Sequence, residues 1–337
     1  MSDTARLPKG HVAGIQGAAG GYRDGNLILA EDYRRFWGVP TLLKAPPLPE
    51  AKSPTIGLFG VPFDGGNSRT PGTSFGPRGI RNISFRVGGW NEELRINPFE
   101  AHSLADCGDV VLSPFSIADA YVSIEKAVSR IVDRGMLPVA VGGDHSISYP
   151  IMKALAARHG KLSIVHFDAH CDVSDTAFGE PYHYGSIFRR GVEDGLIDPA
   201  RMIQIGPRKH FHHGEVEYLK ANGIEMISSN GLKQMGPRIR ELLAARVARL
   251  KGTKIYVTFD IDYVDHSYAP GIGSPEPFGP TSWEALESLR ALRELGPDIV
   301  GFDLVEVAPH HDLKDMTTYL AVQFLFEMVS LVPPTRR

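Results

Sequence analysis

Three motifs in this sequence combine acidic residues with histidines, and each follows an apolar run. They supply four carboxylates and two imidazoles: His145 from GGDH, Asp168, His170 and Asp172 from DAHCD, and Asp260 and Asp262 from DID. Four carboxylates brought together repel one another and raise their own pKa values unless positive charge lies between them. Carboxylates with some imidazole suit Mn²⁺, and the lack of thiolates argues against structural zinc. The motifs predict a site for two divalent cations, Mn(II) first and Ni(II) as the alternative.

Each motif alone also has an ordinary structural interpretation. A single Asp at the end of a strand is usually a helix cap, and a histidine inside an apolar run, such as His166, is usually a satisfied core residue. Cys171 lies between two candidate ligands and is interpreted as a small buried hydrophobic residue. The presence of all three motifs in one chain, each at a predicted strand end, favours metal binding.

The elements that must position these motifs are short apolar runs separated by longer amphipathic segments. The predicted strands are 55–61, 137–141, 162–167, 202–205, 254–259 and 299–305, and the clearest predicted helices are 116–134, 282–295 and 317–332. Runs that are apolar almost throughout are typical of parallel strands covered on both faces. Ligands of such sheets bind at the carboxyl ends of the strands. Because strand side chains alternate faces, we expect residues 168, 170 and 172 to share a face, as residues 260 and 262 do.

Composition excludes several classes of protein. The chain has 36 Lys and Arg against 39 Asp and Glu, a formal net charge of −3, which does not suit a nucleic-acid partner. With 42% hydrophobic and 22% charged residues it has the composition of a globular protein with a large core. No run of about 18 apolar residues and no signal-peptide core is present, so we expect no membrane partner and a cytoplasmic location. Two cysteines do not make a disulfide framework.

Further motifs give the chain a family resemblance. They are GVPFDGGNSRTPGTSFGPRGIR at 60–81, ADCGDV at 105–110, SYAPGIGSPE at 267–276 and LVEVAP at 304–309, preceded by RRFWGVPTLL at 34–43. Together with the metal motifs, these segments resemble the ureohydrolase family of arginases and agmatinases, and the agmatinase-like branch most. The resemblance implies an arginase-like three-layer α/β/α sandwich with a mostly parallel central sheet. It also implies a binuclear manganese centre that hydrolyses a guanidinium compound to urea and an amine.

The resemblance assigns a role to individual residues. The six residues of the three motifs would be the metal ligands. Glu306 would hold the substrate guanidinium by a charge-assisted bidentate hydrogen bond, unless it is a salt-bridged strand-end residue. His183 would protonate the leaving amine, and Ser274 would contact the substrate. The loops depart from the family pattern at Tyr184, Ser274, His266 and 206–213, which leaves the substrate open.

Several alternatives therefore stay open. The substrate class is a small cationic guanidino compound of the agmatine or 4-guanidinobutyrate type, or else guanidine itself, a substituted guanidine or a biguanide. A deacetylase with one metal and a non-catalytic subunit of a hetero-oligomeric ureohydrolase are the other functions. We expect residues 1–50 to form an arm on the domain or on a neighbouring subunit, 51–337 to form one catalytic domain, and the protein to be a homo-oligomer, by resemblance a hexamer. The histidines at 210, 212 and 213 are expected in a solvated loop.

Overall fold

A computed structural model describes residues 22–23, 27–28, 38–208 and 212–334 of this chain. A small antiparallel pair, β1 (Tyr22–Arg23) and β2 (Leu27–Ile28), precedes the main sheet. The strands of the main sheet are β3 (Ile56–Val61), β4 (Leu104–Asp109), β5 (Leu137–Gly142), β6 (Leu162–Phe167), β7 (Ile197–Ile205), β8 (Glu225–Ile227), β9 (Ile255–Asp260) and β10 (Ile299–Val305).

The main sheet has eight strands in the described part of the chain, in the order β4-β3-β5-β10-β9-β6-β7-β8. All of its neighbouring strands are parallel. The four central strands, β5, β10, β9 and β6, are buried almost throughout, which is why their sequences read as continuous apolar runs. Their carboxyl ends lie side by side at one edge.

Helices cover both faces of this sheet. They are α1 (Gly76–Ile83), α2 (Pro98–Ala101), α3 (Ile117–Asp133), α4 (Ser148–His159), α5 (Ile187–Glu193), α6 (His213–Ala221), α7 (Ser229–Met235), α8 (Ile239–Val247), α9 (Ser282–Arg290) and α10 (Met316–Leu331). Buried side chains of α3, α4, α5 and α6 form one core with one face of the sheet, and those of α1, α7, α8, α9 and α10 form a second core on the other face. This confirms the three-layer α/β/α fold.

The strand predictions agree with the structure for the buried centre and fail at the edges. Each of the six predicted strands is present, although β7 begins five residues before the predicted start at 202. The prediction omitted β4 because its sequence, LADCGD, ends in polar residues that are partly exposed. It omitted β8 because a strand of 3 residues carries no readable pattern. The helix predicted over 282–295 ends at Arg290 and is followed by a 3-10 segment, Arg293–Asp298.

The segment before β3 packs on the domain. Leu42 and Leu43 are buried in the core that contains α1 and α10. The Leu42 amide donates to the buried carboxylate of Asp106, which also accepts from Nε and Nη2 of Arg81. Most of the predicted arm, residues 1–37, lies outside the described residues apart from β1 and β2, so the arm and the single domain over 51–337 stay predictions. No helix in the described ranges is both long and apolar enough to cross a bilayer.

Candidate metal centre

The three metal motifs and Glu306 follow the four central strands of the sheet. GGDH spans the end of β5, DAHCD follows β6, DID spans the end of β9, and Glu306 follows β10 directly. Within GGDH the chain passes so close to Phe63 that a Cβ on Gly143 would lie 1.8 Å from the Phe63 carbonyl oxygen. Only glycine permits this approach. The strand order therefore brings the chemistry of four distant segments to one edge.

One half of the centre surrounds Nδ1 of His145. This nitrogen lies 3.0 Å from Oδ2 of Asp168, 3.1 Å from Oδ2 of Asp172 and 3.4 Å from Oδ2 of Asp260. His145 is fully buried, and all three carboxylates are less than a tenth exposed. Three carboxylate oxygens around one imidazole nitrogen form a compact set of four donors.

The other half surrounds Nδ1 of His170. This nitrogen lies 2.9 Å from Oδ2 of Asp262 and 3.1 Å from Oδ1 of Asp168. Asp168 thus presents Oδ2 to the first half and Oδ1 to the second, and joins them. All six residues that the sequence singled out as ligands are brought together, although their role as ligands stays a prediction.

Backbone groups fix the orientation of these carboxylates. Oδ1 of Asp260 accepts from the Asp262 amide at 2.8 Å, and Oδ1 of Asp262 accepts from the Ala169 amide at 3.0 Å. In both residues Oδ2 is the oxygen that faces a histidine of the centre. The main chain therefore fixes Oδ1 of Asp260 and of Asp262, and leaves Oδ2 of each facing the centre.

The residues of DAHCD converge for a different reason from the one that the sequence pattern suggested. Strand β6 ends at Phe167, so residues 168–172 lie beyond it and strand alternation does not orient them. Asp172 instead reaches the centre with a φ of 48°, a left-handed conformation that costs a non-glycine residue about 1–3 kcal/mol. Cys171 is buried, with its sulfur 3.9 Å from that of Met226, as expected for a packing residue.

The spacing of these nitrogen and oxygen atoms suits binding to divalent cations better than hydrogen bonding between the side chains. Nδ1 of His145 makes no hydrogen bond to any described residue, although three carboxylate oxygens lie within 3.4 Å. Ligands about 2.1 Å from one cation and at right angles lie about 3 Å apart, which is the spacing found here. Burial, together with the charges of Asp262 and Asp168, raises the pKa of Asp260 well above its ordinary value. Burial also raises the pKa of Asp262. Bound cations would remove this cost.

Two neighbours of the ligands were not identified from the sequence as part of the site. Thr258 lies on β9, and its hydroxyl is 2.9 Å from Nε2 of His145, which leaves Nδ1 as the nitrogen that faces the carboxylates. His166, interpreted above as a core residue, places Nε2 2.8 Å from Oδ2 of Asp168. The position of His166 two residues before Asp168 was the only signal in the sequence.

Glu306 is a buried carboxylate that contacts the backbone of His145. It is 3% exposed, and Oε1 accepts from the His145 amide at 2.8 Å. Oε2 has no hydrogen-bond partner among the described residues. A Cβ on Gly273 would lie 3.9 Å from Oε2, so the GSPE loop passes over this oxygen. Burial, and next the charge of Asp144, raises the pKa of Glu306 well above its ordinary value, and its φ of 66° is strained.

His183 and Ser274 also carry buried polar atoms without partners among residues 38–208 and 212–334. These atoms are Nε2 of His183 and Oγ of Ser274. Nδ1 of His183 accepts from the Gly185 amide at 3.1 Å, so the neutral ring carries its hydrogen on Nε2. Burial lowers the pKa of His183 although the charge of Asp172 opposes this shift. The ring is therefore neutral near pH 7.

A cavity of about 460 Å³ opens beside the centre. His170, Asp172 and His183 line it, together with Arg69 and Tyr184 at its rim. His212 also lines it, whereas His213 is 86% exposed and pairs with Glu217, and His210 lies outside the described residues. The volume suits a small-molecule substrate.

Arg208 is a further residue that the sequence did not reveal. Its guanidinium donates to main-chain oxygens on two loops: Asp262 at 2.6 Å, Glu276 and Pro277 at 3.0 Å, and Tyr263 at 3.1 Å. It therefore ties the loop that carries the ligand Asp262 to the loop that carries Ser274. Its position just after β7 was the only signal in the sequence.

Comparison with known proteins gives a consistent result. The sequence profile of the arginase family matches residues 54–330. The chain is 37% identical over 308 residues to the guanidinobutyrase of Pseudomonas aeruginosa, covering 89% of this chain and 94% of that protein. It is 38% identical over 307 residues to the mitochondrial agmatinase of Gallus gallus, covering 90% and 88%. The structure of the proclavaminate amidino hydrolase from Streptomyces clavuligerus aligns with a TM-score of 0.82 and 33% identity, covering 88% of this chain and 98% of that one.

Proposed function

This chain belongs to the arginase family, and we propose that it hydrolyses a small guanidino compound to urea and an amine. The reaction joins one water to the guanidinium carbon and breaks the bond from that carbon to the substituted nitrogen, so the products are urea and an alkylammonium ion. The observation that carries the proposal is the convergence of six metal-binding side chains beside the unpartnered Oε2 of Glu306. Its hydrolase class agrees with the names of the relatives.

Two divalent cations are the cofactors in this proposal. His145, Asp168, Asp172 and Asp260 would hold one, and His170, Asp168 and Asp262 the other. When bound, such ions would supply an activated water at neutral pH. The donor set, with carboxylates and imidazoles and no thiolate, supports Mn(II), and Ni(II) is the alternative.

Glu306 would recognise the guanidinium. Resonance makes the carbon of this group a poor electrophile. The guanidinium must therefore be held in the correct orientation for attack by water. A carboxylate that binds two guanidinium N–H groups fixes the plane of the substrate and offsets its charge. Glu306 has one oxygen held by the His145 amide and the other without a described partner, so a substrate N–H would satisfy that oxygen. Ser274 Oγ, also buried without a described partner, would contact the same group.

His183 would handle the proton that the leaving nitrogen must gain. The leaving nitrogen gains both hydrogens of the water and departs as an alkylammonium ion, and a residue at the cavity need relay only one of these protons. The Nε2 nitrogen of His183 is the one that is buried without a described partner, because Nδ1 is held by the Gly185 amide. Its place on the wall of the cavity next to Asp172 supports the assignment.

The tail of the substrate distinguishes the members of this family. Guanidinobutyrate ends in a carboxylate and agmatine in an ammonium group, and the relatives named after them are 37% and 38% identical to this chain. Sequence identity therefore does not choose between them. Guanidine itself, a substituted guanidine or a biguanide stay as alternatives. A hexameric assembly and a cytoplasmic location are likewise proposals, the first testable by mass in solution.

Urea production tests the reaction class. Metal-loaded protein should release urea and the matching amine in equal amounts from at least one compound of a guanidino panel. A single-metal deacetylase would release acetate from acetylated amines and no urea. A non-catalytic subunit would release neither, and would gain activity only when a second, different subunit is added.

A further inference from the structure

Arg69 lies at the rim of the cavity that leads to the metal centre. Its Nη1 lies 3.8 Å from Oε1 of Glu276, too far for a hydrogen bond. The Arg69 side chain is 43% exposed and that of Glu276 is 18% exposed. No other carboxylate among the described residues forms an ion pair with Arg69, so most of its guanidinium hydrogens are available to a ligand.

The main chain beneath Arg69 is held in place. Its amide donates to Oδ1 of Asn67 at 2.7 Å, and Nδ2 of Asn67 donates to the Thr70 carbonyl at 3.1 Å. The Tyr184 amide donates to the Gly66 carbonyl at 3.1 Å, which joins this loop to the segment that carries His183. The main chain that carries Arg69 is thus fixed beside the cavity.

The other charged side chains on the cavity wall, away from the candidate metal ligands, have hydrogen-bond or ion-pair partners of their own. Nε of Arg189 lies 3.0 Å from Glu193 and 3.4 Å from Asp175, and its guanidinium stacks 4.8 Å above the ring of Tyr218. Glu215 accepts from the Ser174 hydroxyl at 2.6 Å. Arg69 is therefore the described cation on this wall that is best placed to meet a substrate tail.

Arg69 lies close to one candidate ligand of the centre, His170, through a carboxylate that both side chains approach. Oε1 of Glu276 also lies 3.5 Å from Nε2 of His170. Since the two ion pairs share this oxygen, Nη1 of Arg69 and Nε2 of His170 are at most about 7 Å apart, the sum of the two distances. In extended 4-guanidinobutyrate the guanidinium and carboxylate carbons are about 6 Å apart by ordinary bond lengths.

We propose that Arg69 binds a carboxylate at the end of the substrate tail, and that short ω-guanidino acids are the preferred substrates of this enzyme. The inference rests on the proposed function and adds the tail charge to it. Arginine suits this role because its planar fork of donors matches a carboxylate. Glu276 is the competing receptor, for an ammonium tail, but it is the more buried partner and faces both Arg69 and His170.

Three substrates with one reacting group and different tails test the inference: 4-guanidinobutyrate, n-butylguanidine and agmatine. With metal-loaded wild-type protein we expect kcat/KM for urea release to fall in that order, by about 10-fold or more from the anionic to the neutral tail. Arg69→Met should lower kcat/KM for 4-guanidinobutyrate by about 10- to 100-fold and leave n-butylguanidine nearly unchanged. Arg69→Lys should retain part of the preference. Arg189→Met, a loss of charge on the same cavity wall, should leave the ratio of anionic to neutral substrate unchanged.

The outcomes separate the inference from the function beneath it. An equal loss of kcat/KM for all three substrates in Arg69→Met would show that Arg69 is a structural residue. A preference of the wild-type protein for agmatine would show that Glu276 binds the tail. Either result overturns the inference and leaves urea production intact. No urea from any of the three compounds would overturn the inference, whereas no urea from any compound of the wider guanidino panel would overturn the proposed function as well.

Discussion

Replacing Glu306 with glutamine removes one charge from the site and little else. The amide oxygen of the new side chain would still accept from the His145 amide, the contact that Oε1 now makes at 2.8 Å. The ion ligands are untouched, so metal content should stay at the wild-type value. The guanidinium, however, would lose a charge-assisted contact at a position that is 3% exposed, where water screens little. Such a contact contributes about 3 kcal/mol, so kcat/KM should fall about 10²-fold or more.

The assay compares Glu306→Gln with wild-type protein by urea release and by metal analysis on the same samples. Glu327→Gln is a matched control, because Glu327 is another buried carboxylate, paired with Nε of Arg290 at 2.6 Å on the side of α10. It should lower stability without lowering kcat/KM of the folded protein. If Glu306→Gln keeps its metal and its kcat/KM, the reasoning is refuted and Glu306 is a strand-end residue.

Three further predictions follow from the contacts. Asp172→Ala and Asp260→Ala should each reduce the metal bound per chain, measured by elemental analysis, and abolish urea release, because each removes an oxygen within 3.4 Å of His145; full metal content in both would contradict the ligand assignment. His183→Gln should lower kcat by about 10²-fold or more at unchanged metal content, and an unchanged kcat would remove it from proton transfer. Arg81→Met should lower the free energy of unfolding in urea by about 3 kcal/mol, since it leaves the buried Asp106 charge without its bidentate partner; a wild-type transition would show that the pair contributes nothing.

The sequence predicted the centre of the fold better than its edges. Strands β5, β6, β9 and β10 are buried almost throughout, so the sequence shows them as apolar runs, and polar residues near the end of each run mark the edge that carries the candidate site. Strands β4 and β8 lie at the two edges of the sheet. The exposed residues of β4 and the short length of β8 leave neither strand a continuous apolar run. Residue types and order were therefore enough to name six candidate ligands, but not the whole sheet.

Contacts between distant loops could not be predicted from the sequence. Asp172 reaches the centre through a left-handed φ, which no local pattern indicates in an aspartate. Arg208 acts through four main-chain oxygens on loops more than fifty residues away, and backbone oxygens leave no mark in a sequence. The pairing of Arg69 with Glu276 also depends on two loops that meet only in the folded chain. The first two contacts orient residues around the candidate metal centre, and the third underlies the proposed choice of substrate tail.

Titration of metal-free protein with Mn²⁺ or Ni²⁺, with urea release measured at each step, tests the central claim most directly. The predicted result is no urea without metal and activity that reaches its maximum at two ions per chain, with 4-guanidinobutyrate as substrate in the first instance and the rest of the guanidino panel after it. Full urea release from chelator-treated protein, a maximum at one ion per chain, or no urea from any guanidino compound at any metal content would contradict the account.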